Sequence, residues 1–239
     1  MNWLDAMDTG RVSVDRVTVA VMARAPVAGR AKTRLAPLLG AAGAARAHRL
    51  LLLATLQTVR GSGMPWQLWC EPAADHRFFR ALNRVWACTG HDQPDGDLGQ
   101  RMHAAFVAQA FFSAAPMLLI GTDCPALEVS HLHQAAQRLL DGDDAVFTPA
   151  EDGGYVLVGL RRPQPTLFEA IEWGSDQVMA QTRARLQQLD LRWSEMPTLW
   201  DDDEPADWQR WQRALSRAKL ARIPAPQRSR GLQAFHPPR

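Results

Sequence analysis

The chain has 239 residues, 46% hydrophobic and 22% charged, the composition of an ordinary globular protein with a full core rather than a disordered or fibrous one. Its formal charge of +2 is set near the C-terminus, where residues 216–239 hold six Arg or Lys and no acid; the rest carries 21 basic against 25 acidic residues, a net −4 that excludes a basic nucleic-acid-binding surface. No apolar run is long enough for a spanning helix, the opening MNWLDAMDTGRV lacks the basic and apolar regions of a secretory leader, and three cysteines without a CxxC pair fit reduced thiols, so a cytoplasmic protein is expected.

The expected organisation is an N-terminal extension (1–15), one α/β domain (16–215) and a basic, proline-rich tail (216–239). The first element, Val17 to Leu35, is an apolar β-branched run that discharges into a loop carrying Arg24, Arg30, Lys32 and Arg34. Gly29 lets that loop turn tightly and approach an anion, and alternating cations could converge on a diphosphate, although a solvated cationic turn fits the segment equally well. The loop has neither the Walker A nor the GxGxxG spacing, which argues against P-loop chemistry. Lys32 stands out because the chain uses 25 Arg and only two Lys.

A helix is predicted over Ala41 to Arg60, stopped by Gly61 and Gly63, then a strand from Trp66 to Cys70 and a short helix around Asp75 to Asn83. VWAC (85–88) reads as a third strand opening into the loop TGHDQPDGDLG, where glycines bracket Asp97 and Leu98 as in a nucleotide-contacting loop. A helix follows over 100–112, and then Pro116 to Gly121, a continuous apolar run suited to a central strand. That strand delivers Asp123, which either caps the next turn or holds a divalent cation. After a helix from about Ser130 to Leu140, strands at 144–149 and 155–160 flank the loop AEDGG. Its Glu151 and Asp152, with Gly153, Gly154 and the single tyrosine Tyr155, make either a plain turn or a place to position a metal or an acceptor hydroxyl.

A helix over 174–189, a last extended segment at 191–199 and a helix from Pro205 to Lys219 complete the chain, with Trp208, Trp211 and Leu215 on one helical face. Asp201, Asp202 and Asp203 precede Pro205, where a cation or the helix dipole relieves their repulsion. Alternating strands and helices predict a mostly parallel sheet with helices on both faces and ligands at the strand C-termini. The seven histidines show no metal spacing and read as structural or surface residues, and Cys124 lacks an evident base for nucleophilic catalysis.

Taken in order, APVAGRAKTRLAPLLG, GDLGQRM, GTDCPAL, PAEDGGYVLVGL and LWDDDEPADW resemble a bacterial family of GT-A-type glycosyltransferases, called selenodomain-associated or arsenosugar-biosynthesis transferases. The KTRL loop also resembles that of phospholactate guanylyltransferase. The resemblance implies the nucleotide-diphospho-sugar transferase fold, a nucleotide or nucleotide-sugar substrate and a small-molecule acceptor. It also implies Mg²⁺ or Mn²⁺ held by Asp123 and Asp203, with Asp201 the other outer aspartate of a motif typically reading DVDTPEDL. Its implied reaction is glycosyl transfer with Glu151 or Asp152 acting on the acceptor; the alternatives are nucleotidyl transfer with pyrophosphate release, and nucleotide binding without catalysis.

Overall fold

A computed structural model describes residues 14–86, 88–202 and 204–221, with side chains through residue 214. Seven strands form one sheet: β1 (Thr18–Arg24), β2 (Trp66–Glu71), β3 (Thr89–Asp92), β4 (Met117–Ile120), β5 (Ala145–Pro149), β6 (Tyr155–Leu160) and β7 (Trp193–Glu195). Six α-helices connect or flank them: α1 (Ala36–Gly61), α2 (Arg77–Trp86), α3 (Leu98–Phe112), α4 (Val129–Leu140), α5 (Val178–Gln188) and α6 (Pro205–Ala221). The strand order is β3-β2-β1-β4-β6-β5-β7.

All pairings are parallel except those of β6, which runs antiparallel to both β4 and β5. Only residues 150–154 separate β5 from β6, too little chain for a crossover, so a hairpin is the connection left to it. The start of β6 therefore lies at the same sheet edge as the C-terminal ends of the parallel strands. The fold is the mixed α/β, mostly parallel arrangement that the sequence predicts.

The inner strands alternate their side chains between two cores. Val19, Val21 and Ala23 of β1 and Leu118 and Ile120 of β4 join Leu52, Leu56, Phe79 and Leu132 from α1, α2 and α4. On the opposite face Ala20, Met117, Leu119 and Phe147 meet Met102, Phe106 and Leu186 from α3 and α5. Trp208 and Trp211, with ring centroids 5.4 Å apart, pack α6 onto Ala44, Ala47 and Leu51 of α1. The side chain of Leu215, expected on the same face, lies outside the described ones. At Gly159 of β6 an added Cβ would stand 2.6 Å from both Leu118 Cδ2 and Val146 Cγ1, so a bare backbone at this position lets α4 sit close to the sheet.

One local expectation is corrected. Val85 and Trp86 belong to α2, not to a strand, and the third strand is the polar Thr89–Asp92. The apolar pair misleads because Val85 is 75% exposed and Trp86 instead lies under the guanidinium of Arg60, 5.0 Å from the ring centroid. The edge strand β3 needs little apolar content, since Trp69 of β2 stacks on His91 with centroids 5.0 Å apart. At the C-terminus α6 continues through Ala221, so residues 216–221 of the segment expected as a tail are helical, while 222–239 and the proposed extension up to residue 13 lie outside the described residues. Among the described residues no helix is long and apolar enough to cross a membrane.

Candidate active site

The strand C-termini and the β5–β6 hairpin surround a cavity of about 520 Å³. Its central feature is built by the loop after β1. Val27 O accepts the amides of Arg30 (3.0 Å) and Ala31 (3.2 Å), closing a tight turn in which Gly29 has φ +76°. Lys32 itself is left-handed (φ 47°, ψ 50°), an uncommon state for a residue with a Cβ. The resulting backbone turns the Lys32 side chain inward, where it is only 5% exposed.

Lys32 Nζ lies 3.2 Å from Asp123 Oδ1 and donates a hydrogen bond to the Asp202 carbonyl. Asp123 sits just past β4, and its main-chain oxygen accepts the Asp202 amide at 2.7 Å. Cys124 Sγ donates to Trp200 O at 3.2 Å, a second tie between these segments. The acidic segment at 201–202 is thus fastened beside Asp123 largely through main-chain groups. Asp201 lines the cavity, whereas Asp202 is fully buried. Asp203 lies outside the described residues.

His48 of α1 completes this centre, with Nε2 2.8 Å from Arg24 O and Nδ1 3.8 Å from Asp123 Oδ1. Its sequence signal was a lone polar residue within an apolar helical stripe, which is more often a core histidine than a site residue. The Cys124 thiol is pushed up to about 12 by burial, so it remains protonated and acts as a hydrogen-bond donor.

Sheet order lays the rest of the site out in sequence. Toward β2 and β3 the cavity is polar: Glu71 accepts from Arg24 at 2.8 Å and from Arg101 at 3.4 Å, and Gln93 Nε2 donates to Trp69 O at 2.9 Å. Glu71, Gln93 and Arg101 were not visible in the sequence as site residues, because each becomes one only through strand pairing and the pitch of α3. Leu98 lines the cavity, but Asp97 does not: its Oδ1 accepts Gln100 N–H at 2.8 Å while Gln100 Oε1 accepts Asp97 N–H at 3.0 Å, a reciprocal N-terminal cap on α3.

Toward β6 the hairpin separates the two acids expected together. Asp152 lines the cavity and its Oδ1 accepts Gly154 N–H at 2.8 Å. Glu151 is absent from the lining and pairs at 3.0 Å with Arg210 of α6, whose guanidinium also covers the Trp200 ring. Gly154 and Tyr155 line the cavity. Gly153 does not: with φ +90° it lies so close to Asp176 that a Cβ would stand 2.2 Å from that carbonyl oxygen. Burial raises the Tyr155 phenol well above its ordinary value of 10, which removes it as a base.

Arg30 and Arg34 line the cavity beside Lys32, so the cationic loop and two carboxylates, Asp123 and Asp201, face one volume. Oxygen donors of this kind suit a hard divalent cation. Asp123 Oδ1 is buried toward Lys32 while the side chain as a whole is 45% exposed, leaving the rest of the carboxylate accessible. Among the described residues no group of three or more His, Cys, Asp or Glu is gathered at metal-holding distance, so these two carboxylates would need ligands from outside that set.

The chain is similar to a proposed nucleotide-diphospho-sugar transferase from Desulfovibrio desulfuricans G20, at 26% identity over 87% of this chain and 90% of that one, with a TM-score of 0.76. The fold is also that of CMP:2-keto-3-deoxy-manno-octonic acid synthetase complexed with CTP (12% identity, 84% and 99% covered, TM-score 0.55). A third similar structure is 4-diphosphocytidyl-2C-methyl-D-erythritol synthase from Anaerococcus prevotii DSM 20548 (11% identity, 84% and 98% covered, TM-score 0.55). No curated protein matches the chain. Its fold is therefore that of nucleotide-diphospho-sugar transferases, and by the match of residues 54–175, just over half its length, the protein belongs to the bacterial family DUF2064, described as "Uncharacterized protein conserved in bacteria".

Proposed function

We propose that the protein is a divalent-cation-dependent transferase that moves a sugar from a nucleoside-diphosphate donor to a small-molecule acceptor. The observation that carries this reading is the junction of Lys32 with Asp123, where a cationic loop and two cavity-lining carboxylates meet at the ends of β1 and β4. The name of the Desulfovibrio neighbour supports the same donor class.

Arg30, Lys32 and Arg34 would bind the donor diphosphate, with Lys32 held ready by the Asp202 carbonyl. Asp123 and Asp201, with Asp203 as the family resemblance implies, would hold Mg²⁺ or Mn²⁺; when bound, the ion neutralises charge on the departing diphosphate. His48 fixes the backbone at Arg24 and lies behind Asp123, a positioning role. In the transfer the acceptor oxygen bonds to the anomeric carbon, the bond from that carbon to the diphosphate oxygen breaks with its electron pair leaving on the diphosphate, and Asp152 accepts the hydroxyl proton. Of the two acids on the hairpin, the geometry favours Asp152, since Glu151 is engaged by Arg210.

Product analysis tests the reaction. Incubation with nucleotide sugars, Mg²⁺ or Mn²⁺ and an acceptor panel should release nucleoside diphosphate, and Asp123→Asn should abolish that release while remaining folded. Pyrophosphate release from nucleoside triphosphates would instead identify a nucleotidyltransferase. Nucleotide binding without any turnover would identify a binding protein.

A further inference from the structure

The cavity is divided by charge. Its basic side chains, Arg24, Arg30, Lys32, Arg34, His48 and Arg101, come from β1, the loop after it, α1 and α3. Between β5 and α5 the only charged side chain in the lining is Asp152; the wall there is made by Tyr155, Val158, Trp173 and Val178, and Leu119 and Met102 extend it from the neighbouring strand and helix. Among the described residues, the stretch from β5 to the start of α5 therefore offers a phosphate one carboxylate and no basic lining side chain of its own.

This wall is also held in place. The half-buried Trp173 stands edge-to-face on Tyr155 with centroids 6.3 Å apart and planes at 85°, and Tyr155 in turn packs on Phe147 at 5.2 Å. Gly99, in the first turn of α3, makes room for the indole: a Cβ there would lie 2.7 Å from Trp173 Cζ2 and 2.9 Å from Nε1. The aromatic surface is thus positioned by its neighbours before any ligand arrives, which lowers the entropic cost of binding.

We infer that the acceptor is a small hydroxyl compound without anionic groups that lays a flat apolar ring against Trp173 and presents its hydroxyl toward Asp152. Assigning the wall to the acceptor rests on the transferase reading above, but binding to it requires no turnover. The inference separates this site from one that takes a phosphorylated acceptor.

Binding of benzyl alcohol, benzyl phosphate and glycerol to the full chain, measured by calorimetry or ligand-observed NMR with saturating inorganic pyrophosphate on the cationic loop, tests it. Benzyl alcohol should bind at least about tenfold more tightly than either comparison compound, and Trp173→Ala should weaken it about tenfold while Trp173→Phe largely retains it. Unchanged pyrophosphate affinity in Trp173→Ala would report an intact fold. Equal binding of benzyl phosphate or glycerol, or benzyl alcohol affinity indifferent to Trp173→Ala in a folded variant, would overturn the inference. If benzyl alcohol binds as expected while no nucleotide sugar is consumed, the apolar subsite stands and the transferase reading fails.

Discussion

Lys32 Nζ and Asp123 Oδ1 lie 3.2 Å apart, joining the loop after β1 to the end of β4 across neighbouring parallel strands. The lysine is nearly buried, so its charge is directed at this carboxylate and the cavity rather than spread into solvent. A mobile surface lysine would leave that charge without fixed geometry; this one is held by a carbonyl on a third segment.

Replacing Lys32 with Ala should therefore weaken nucleoside-diphosphate binding by roughly ten- to a hundredfold, the range for losing a hydrogen bond to a charged group. Lys32→Arg should not restore it, because a planar fork needs more room than a compact ammonium at a left-handed, buried position. Titration calorimetry with the nucleoside diphosphate measures both, and wild-type affinity in Lys32→Ala would remove the loop from the site.

Asp97→Ala separates capping from ligand contact. The reciprocal cap with Gln100 predicts a loss of about 1 kcal/mol of stability in urea unfolding with nucleotide affinity unchanged. A tenfold fall in affinity with stability intact would instead make Asp97 a ligand contact.

Gly159→Ala should lower stability by about 1–3 kcal/mol through overpacking against Leu118, Val146 and Leu139, which lie where a Cβ would be placed. Thermal unfolding should show a clear drop in Tm, and an unchanged Tm would mean that α4 yields without cost.

Acid stability should depend in part on Glu195. Its carboxylate receives two 2.8 Å hydrogen bonds from Arg183 Nε and Nη2, and these lower its pKa from the ordinary 4.5. A depressed carboxylate pKa stabilises the fold above the unfolded value, and the contribution fades as pH falls below 4.5 through the folded value. Glu195→Gln should consequently flatten the loss of Tm between neutral pH and acid, and parallel curves for the two proteins would exclude this pair as a contributor.

The loop from Gly29 to Arg34 and the aspartate past the central strand were legible in the sequence because each is a local pattern: a run of charge or a turn residue at the end of an apolar strand. Parallel topology then brings them to one edge. His48, Glu71 and Arg101 were not legible, since nothing local distinguishes them from a core histidine or surface charges. The pair Glu151 and Asp152 shows the opposite failure. Adjacent in sequence, they part in space because the hairpin turn sends one to α6 and the other to the cavity. The Val85–Trp86 strand fails for a related reason: two large apolar residues satisfied a strand pattern, although one is solvated and the other is covered by an arginine.

The reversed direction of β6 gives the site a modular character. Asp152, Tyr155 and Trp173 all fall on the continuous stretch from β5 to the start of α5, whose hairpin strands are flanked in the sheet by β4 on one side and β7 on the other, and whose distal end is tied back by the Met179 amide on Gly153 O at 2.9 Å. The basic lining residues lie elsewhere in the chain, on β1, the loop after it, α1 and α3. Residues 149–178 thus carry most of one wall of the cavity as one continuous piece of chain, so that a substitution or insertion within them reshapes that wall without touching the elements that bear the basic side chains.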